Sequence, residues 1–161
     1  MNDRIIKATA SGRGVNIIPN VGVGAIDMQV ALFETQKSVT IKLLRSSVAT
    51  RRPPVVFYSI YGTRGTIETG RDGAEDKLYI EGEKGYEKGM RAIKYPELPE
   101  EVKRGHGGGE YYLVHDFINA LDNNRKPPID VIKPMNYTVP GIIAHEAAMR
   151  GNVWLDVPLL R

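Results

Sequence analysis

The chain changes its hydrophobic period once, and that change constrains the fold more than any other feature. Through the first two thirds, apolar and β-branched residues alternate or cluster in "DRIIKATAS", "IDMQVALFE", "SVTIKLLRS", "VVFYSIYG", "GTIETG", "DKLYIEG" and "MRAIKYPE". Gly, Pro, Asn or charged turn residues bound each run, so the runs read as short strands at the spacing of an antiparallel meander. "FETQKSVTIKL" predicts a hairpin through Gln36 and Lys37, and "YGTRGTIE" predicts bends at Gly62 and Gly65, where a left-handed backbone costs glycine nothing.

After Pro99 the period becomes helical. Tyr112, Leu113, Phe117, Ile118 and Leu121 line one face of a helix expected from about Gly109 to Asn123, and "RKPPID" ends it because neither proline donates a backbone N–H. A second helix is expected from Thr138 as N-cap to Gly151, with Pro140 in its first turn and Val139, Ile142, Ile143 and Ala147 turned inward. "VWLDVPLLR" reads as a last strand or an extended tail. Strands followed by helices indicate an α+β fold: a large open, mainly antiparallel β-sheet with helices packed on one face. Runs such as "VALF", "IKLL" and "VVFYSIY" are apolar on both sides, whereas a sheet with one wet face alternates. The free face is therefore expected to pair with a second copy, giving a homodimer or tetramer.

A length of 161 residues fits one domain, expected over 1–161. The absence of cysteine excludes disulfides, thiolate metal sites and thiol nucleophiles. No apolar run approaches a membrane span, and "MNDRIIKATA" has no signal-peptide core, so the expectation is a cytoplasmic chain with no membrane partner. The net charge of +3 is scattered among acids as in "EGEKGYEKGMR", and Arg51 with Arg52 is the nearest approach to a basic cluster. That footprint does not indicate nucleic acid.

Three possible chemistries attach to "RGHGGGEYYLVHDFINAL", Arg104 to Leu121. A dinucleotide cradle needs G-x-G-x-x-G between a strand and a helix. Gly12 and Gly14 are followed by Ile17 at the third position, Gly22 and Gly24 by Asp27, and Gly107 and Gly109 by Tyr112, so no such fingerprint exists and no cofactor-binding residue is assigned. His106 can serve as a general acid or base, with the glycines leaving room for a ligand, or it can sit in a connection exposed to solvent. His115 and His145 read as helix-surface or packing residues. "AHEAAM" lacks the second histidine of a zinc helix, so no metal site is assigned. On the strands, Arg45, Tyr58, Tyr61 and Arg64 can bind sugar hydroxyls or a carboxylate, or simply pack and solvate.

Taken together, "DRIIKATASG", "GAIDMQVALFETQKSVTIKLLRSS", "FYSIYGTRGTIETGR", "GHGGGEYYLVHDFINAL" and "PPIDVIKPMNYTVPGIIAHEAAMRGNVWLDVP" resemble the C-terminal half of the glucose-fructose oxidoreductase and inositol dehydrogenase family, Gfo/Idh/MocA, over nearly the whole chain. The most specific pieces are "YGTRGTIE", the H-G-G-x-[DE]-Y pattern at His106 to Tyr111, and "MRGNVWLDVP". The resemblance implies a sheet that packs on its twin and helices near a sugar or polyol. The His106 pattern is similar to a branch with nucleotide-dependent glycoside hydrolases, in which His106 would be the acid or base and Tyr111 would lie beside the substrate. The family's N-terminal Rossmann domain, its E-K-P lysine and a further acidic and histidine motif have no counterpart here. The expectation is a substrate-side and oligomerisation domain without redox activity alone; the alternatives are a subunit of a split oxidoreductase or glycoside hydrolase, to which a separately encoded Rossmann chain would bring NAD(P), and a non-enzymatic carbohydrate-binding or scaffold protein.

Overall fold

The computed structural model describes residues 3–15, 26–52, 56–95, 97–102 and 108–159. Among them the elements run β1 (Ile5–Val15), β2 (Ile26–Thr35), β3 (Thr40–Ser46), β4 (Ser59–Gly62), β5 (Gly65–Glu68), β6 (Lys77–Ile80), β7 (Arg91–Ala92), a 3-10 turn at Glu100–Val102, α1 (Gly109–Asp122), α2 (Ile132–Met149) and β8 (Leu155–Asp156). Every strand pairing is antiparallel, and each run predicted to be a strand holds one. The α+β class holds, with the strands divided between two four-stranded sheets, β3-β2-β1-β8 and β4-β5-β6-β7. The chain forms two compact units, Met1–Ala49 with Gly105–Arg161, and Thr50–Arg104.

Small side chains decide where a helix covers the first sheet. In register, Ala8 faces Phe33 and Ala10 faces Ala31. These four, with Ala144 of α2 and Val157, form the buried cluster, and Val139, Ile143 and Ala148 of α2 pack against it. Alanine on both strand and helix lets the two backbones approach closely, so the one large ring, Phe33, is 4% exposed. Burying it stabilises the unit by roughly 1.5–3 kcal/mol. Ile6 bulges where the β1–β2 register shifts between Ile5 and Lys7, and its carbonyl accepts from Val157 N at 2.8 Å. That bond extends the β8 edge beyond its two paired residues.

The β2–β3 turn is organised by Asp3 and Thr35. The Thr35 hydroxyl donates to Asp3 Oδ2 at 2.6 Å and accepts from Val39 N at 3.0 Å, while Lys37 N donates to Asp3 Oδ1 at 3.0 Å. Those donors, the Thr35 hydroxyl first, hold the Asp3 carboxyl below its ordinary value. The left-handed residue in this turn is Ser38, φ 62°, one position beyond the Gln36–Lys37 pair expected from sequence.

In the second unit, Gly62 pairs with Gly65 across Thr63 and Arg64. Gly65 is required for a different reason from the one its turn suggested. A Cβ there would lie 2.5 Å from the Tyr79 carbonyl oxygen, so glycine is needed for close approach to β6 and not for a left-handed backbone. Asp76 anchors the adjoining loop, accepting from Gly70 N at 2.7 Å and from the Tyr95 hydroxyl at 2.8 Å. Both bonds favour its ionised form and lower its pKa, while the carboxylate beside Tyr95 raises that phenol's.

Two helical details differ from expectation. α2 begins at Ile132, not Thr138, because Asp130 Oδ1 accepts from Ile132 N and Lys133 N, both at 3.0 Å, and so satisfies the first turn. Pro140 thus lies inside the helix, buried. The inward stripe is Val139, Ile143, Ala144 and Ala147, whereas Ile142 is exposed. Among the described residues no helix is long and apolar enough to cross a membrane.

Candidate functional site

α1 opens on glycine because its first turn is entered from a left-handed residue. Gly108, the N-cap, has φ 87° and offers no side-chain cap. His106 lies outside the described residues. Tyr111, in the first turn, stacks on His115 with ring centroids 5.8 Å apart and meets Tyr112 edge-on at 5.5 Å. His115 is thereby the helix-surface residue its position suggested, with Nδ1 3.4 Å from Asp116 Oδ1, a long contact.

Beside this helix runs a cleft of about 460 Å³, lined on one side by Tyr112, Leu113, Asp116 and Phe117 and on the other by Pro127, Pro128 and Ile129. Its volume suits a small organic molecule. The second wall is a short strap clamped at both ends. Lys126 Nζ lies 2.6 Å from Asp130 Oδ2, and Lys133 Nζ donates to the Pro128 carbonyl. The Lys126 ammonium, followed by the Lys133 amide, holds the Asp130 carboxyl below its ordinary value. One carboxylate therefore caps α2 and fixes the wall of the cleft. Chemically, the cleft offers flat apolar surface with the Asp116 carboxylate as an acceptor, suited to a molecule that has an apolar face and a few hydroxyl donors.

The other residues singled out from sequence lie elsewhere. Arg45, on β3, donates from Nη1 to the Ile26 carbonyl at 3.1 Å. Tyr61 belongs to the second unit, where its hydroxyl donates to Glu68 Oε1 at 2.6 Å. The described contacts of Arg45 and of Tyr111 do not include one another. No cluster of three or more His, Asp or Glu side chains able to hold a metal occurs among the described residues. Sequence reasoning missed Asp116 and the Pro127–Ile129 wall as cleft residues. The proline pair was visible as a helix stop, but its distance from α1 was not.

Comparison with known proteins gives a consistent picture. Residues 8–156 match a family described as the oxidoreductase family, C-terminal alpha/beta domain, GFO_IDH_MocA_C. No curated protein matches at a significant level. Among solved structures, levoglucosan dehydrogenase in complex with NADH and L-sorbose is 16% identical with a TM-score of 0.76, covering 98% of this chain and 46% of its own. An NAD-binding oxidoreductase from Klebsiella pneumoniae is 18% identical with a TM-score of 0.75, covering 97% and 46%. An Agrobacterium radiobacter oxidoreductase in complex with NAD+, L-tartaric acid and magnesium is 19% identical with a TM-score of 0.70, covering 96% and 44%. The chain thus spans slightly under half the length of these neighbours.

Proposed function

Because the chain belongs to the Gfo/Idh/MocA oxidoreductase family and corresponds to its C-terminal alpha/beta domain, we propose that it is the substrate-side and oligomerisation half of an NAD(P)-linked enzyme acting on a sugar or polyol. In this reading it has no redox activity until a nucleotide-binding half joins it, for example a separately encoded Rossmann chain. The observation that carries the reading is coverage: 98% of this chain superimposes on 46% of levoglucosan dehydrogenase.

The described residues do not fit a dinucleotide by themselves. Among the described residues every strand pairing is antiparallel, so no parallel strand–helix–strand unit occurs among them to aim a helix N-terminus at a pyrophosphate, and the sequence has no G-x-G-x-x-G. No step through the nucleotide is derived for this chain. Its own part in the reaction is to hold the substrate. The cleft beside α1 supports that role, since a sugar ring or polyol chain presents C–H surface to Tyr112 and Phe117 and hydroxyls to Asp116. By the family pattern at His106 to Tyr111, His106 is the proposed acid or base, with Tyr111 beside it. Arg45 and Tyr61 remain proposed substrate contacts.

The oligomerisation role rests on the sheet face away from α2. Met28, Val30 and Leu32 are 39–46% exposed there and Leu44 is 60% exposed. In register, Val30 faces Leu44, Lys42 faces Leu32 and Lys7 faces Glu34, so apolar groups and both charge signs share one surface. Such a surface is complementary to a two-fold copy of itself. The proposed setting is the cytoplasm.

Calorimetric titration of NADH and NADPH into the purified chain tests the reading. No binding in the micromolar range is expected, and micromolar binding by the chain alone would overturn it. With a complementing nucleotide-binding chain, turnover should appear and should vanish in His106→Ala.

A further inference from the structure

We propose that one face of the second sheet is a carbohydrate platform that takes an extended, neutral oligosaccharide lying across β4, β5 and β6. The inference goes beyond the functional reading, because the surface is separate from the cleft beside α1 and needs no nucleotide-binding half. It gives the sugar contact proposed for Tyr61 a definite place.

Strand register sorts the two faces. Tyr61 pairs with Thr66 and Thr66 with Tyr79, so the two rings share one face with a small side chain between them. They stand two strand spacings apart, about 10 Å. Ile60, Ile67 and Leu78 pair in the next row and take the opposite face. Both phenols are held at their tips: Tyr61 donates to Glu68 Oε1 at 2.6 Å, and Tyr79 donates to Glu81 Oε2 at 2.7 Å. Tyr79 also meets Tyr86 at 88°, with ring centroids 6.1 Å apart, which fixes its ring plane. Tyr61 is 70% exposed. Each unit is thus a flat aromatic surface with a carboxylate at its rim, and a carboxylate that accepts one phenol keeps further lone pairs for other donors. A sugar ring has the complementary form, a C–H face to lie on the aromatic ring and hydroxyl donors at its edge. One sugar covers one tyrosine, whereas a chain of several reaches both.

Other occupants fit less well. A second copy needs apolar area, and among the paired residues of this face the one aliphatic side chain is Ala92, while Ile60, Ile67, Leu78 and Ile80 lie on the other. Nucleic acid would set its phosphates against Glu68 and Glu81. The same two acids select against an acidic glycan.

The experiment titrates the full chain calorimetrically with cello-, xylo-, manno- and chito-oligosaccharides of two to six rings, and with oligogalacturonate as the acidic counterpart. At least one neutral series should bind, with affinity rising about tenfold or more once the chain is long enough to reach the second tyrosine. Tyr61→Ala should remove that rise, and Tyr61→Phe, which keeps the ring, should retain it, after melting curves show each variant folded. Phe117→Ala, in the cleft beside α1, should leave the rise unchanged. Failure of every neutral series to bind, affinity independent of chain length, a rise that survives Tyr61→Ala, or one lost in Phe117→Ala would each overturn the inference, as would tighter binding of the acidic series. None of these results alters the reading of the chain as one half of an oxidoreductase, so the two stand or fall separately.

Discussion

Lys126 and Asp130 are joined across two prolines and an isoleucine, Nζ to Oδ2 at 2.6 Å, and the second carboxylate oxygen of Asp130 accepts both leading amides of α2. The wall of the cleft and the start of the longest helix thus depend on one ionised group. Its folded pKa lies below the ordinary 3.8, chiefly because the Lys126 ammonium stabilises the charged form. A depressed pKa contributes stability that is fully present above about 3.8 and is lost as the pH falls through the folded value. Asp130→Asn keeps an oxygen that can accept the α2 amides but removes the titrating charge, and should flatten the acid limb of the Tm-versus-pH curve, as measured by calorimetry. An unchanged acid limb would remove Asp130 from this role.

Phe33 is the one large ring in the buried cluster, whose other members are alanines and Val157. Phe33→Ala should cost about 3–5 kcal/mol, because the helix and strand cannot collapse further onto a site already lined by Ala8 and Ala144. Ile142→Ala, on the exposed side of the same helix, should change stability by no more than about 0.5 kcal/mol. Urea melts of the two variants check the contrast.

Two glycines should respond with opposite sign. At Gly65 an added Cβ meets the Tyr79 carbonyl oxygen at 2.5 Å, and Gly65→Ala should destabilise the second sheet by roughly 1–3 kcal/mol. At Gly141, inside α2, nothing lies within 4 Å of the added carbon. Gly141→Ala should stabilise the first unit by about 0.5–1 kcal/mol, by restricting the unfolded chain and favouring helix. Denaturation followed by probes in each unit separates the two effects.

Light scattering at micromolar concentration should report a dimer or larger assembly, and Leu44→Glu should shift it toward monomer. A charge at the centre of the Met28, Val30, Leu32 and Leu44 patch has no partner once a second copy covers it. A wild-type monomer at that concentration would contradict the proposed sheet pairing.

The strands were legible because their signals are local. Alternation in "IDMQVALFE" and punctuation around "GTIETG" need no knowledge of the rest of the chain. The start of α2 was not, since the residue that permits it is Asp130, eight positions before Thr138, and Pro140 looked like a first-turn proline until that cap was seen. The inward stripe was misjudged at Ile142 for a related reason. Beside the expected Val139, Ile143 and Ala147, the stripe includes Ala144, whose small size matters for close approach yet adds little to a hydrophobic pattern. The division of the strands between two sheets had no sequence signal of its own. The cleft was half legible: Phe117 belonged to a visible apolar face, but its opposing prolines come from a strap whose fold-back is fixed by Lys126 and Asp130.

β1 is flanked by β2 on one side and, on the other, by residues that arrive near the end of the chain, with Lys7 opposite Asp156 and Ala8 opposite Leu155. Among the described residues, the strands of Thr50–Arg104 lie wholly between these partners in sequence and pair with one another. The ladders of that segment join residues near one another in sequence, whereas the first sheet must wait for its closing strand and bear the entropy of a loop nearly as long as the polypeptide. Removing the last few residues should therefore slow assembly of the first sheet, as measured by stopped-flow refolding.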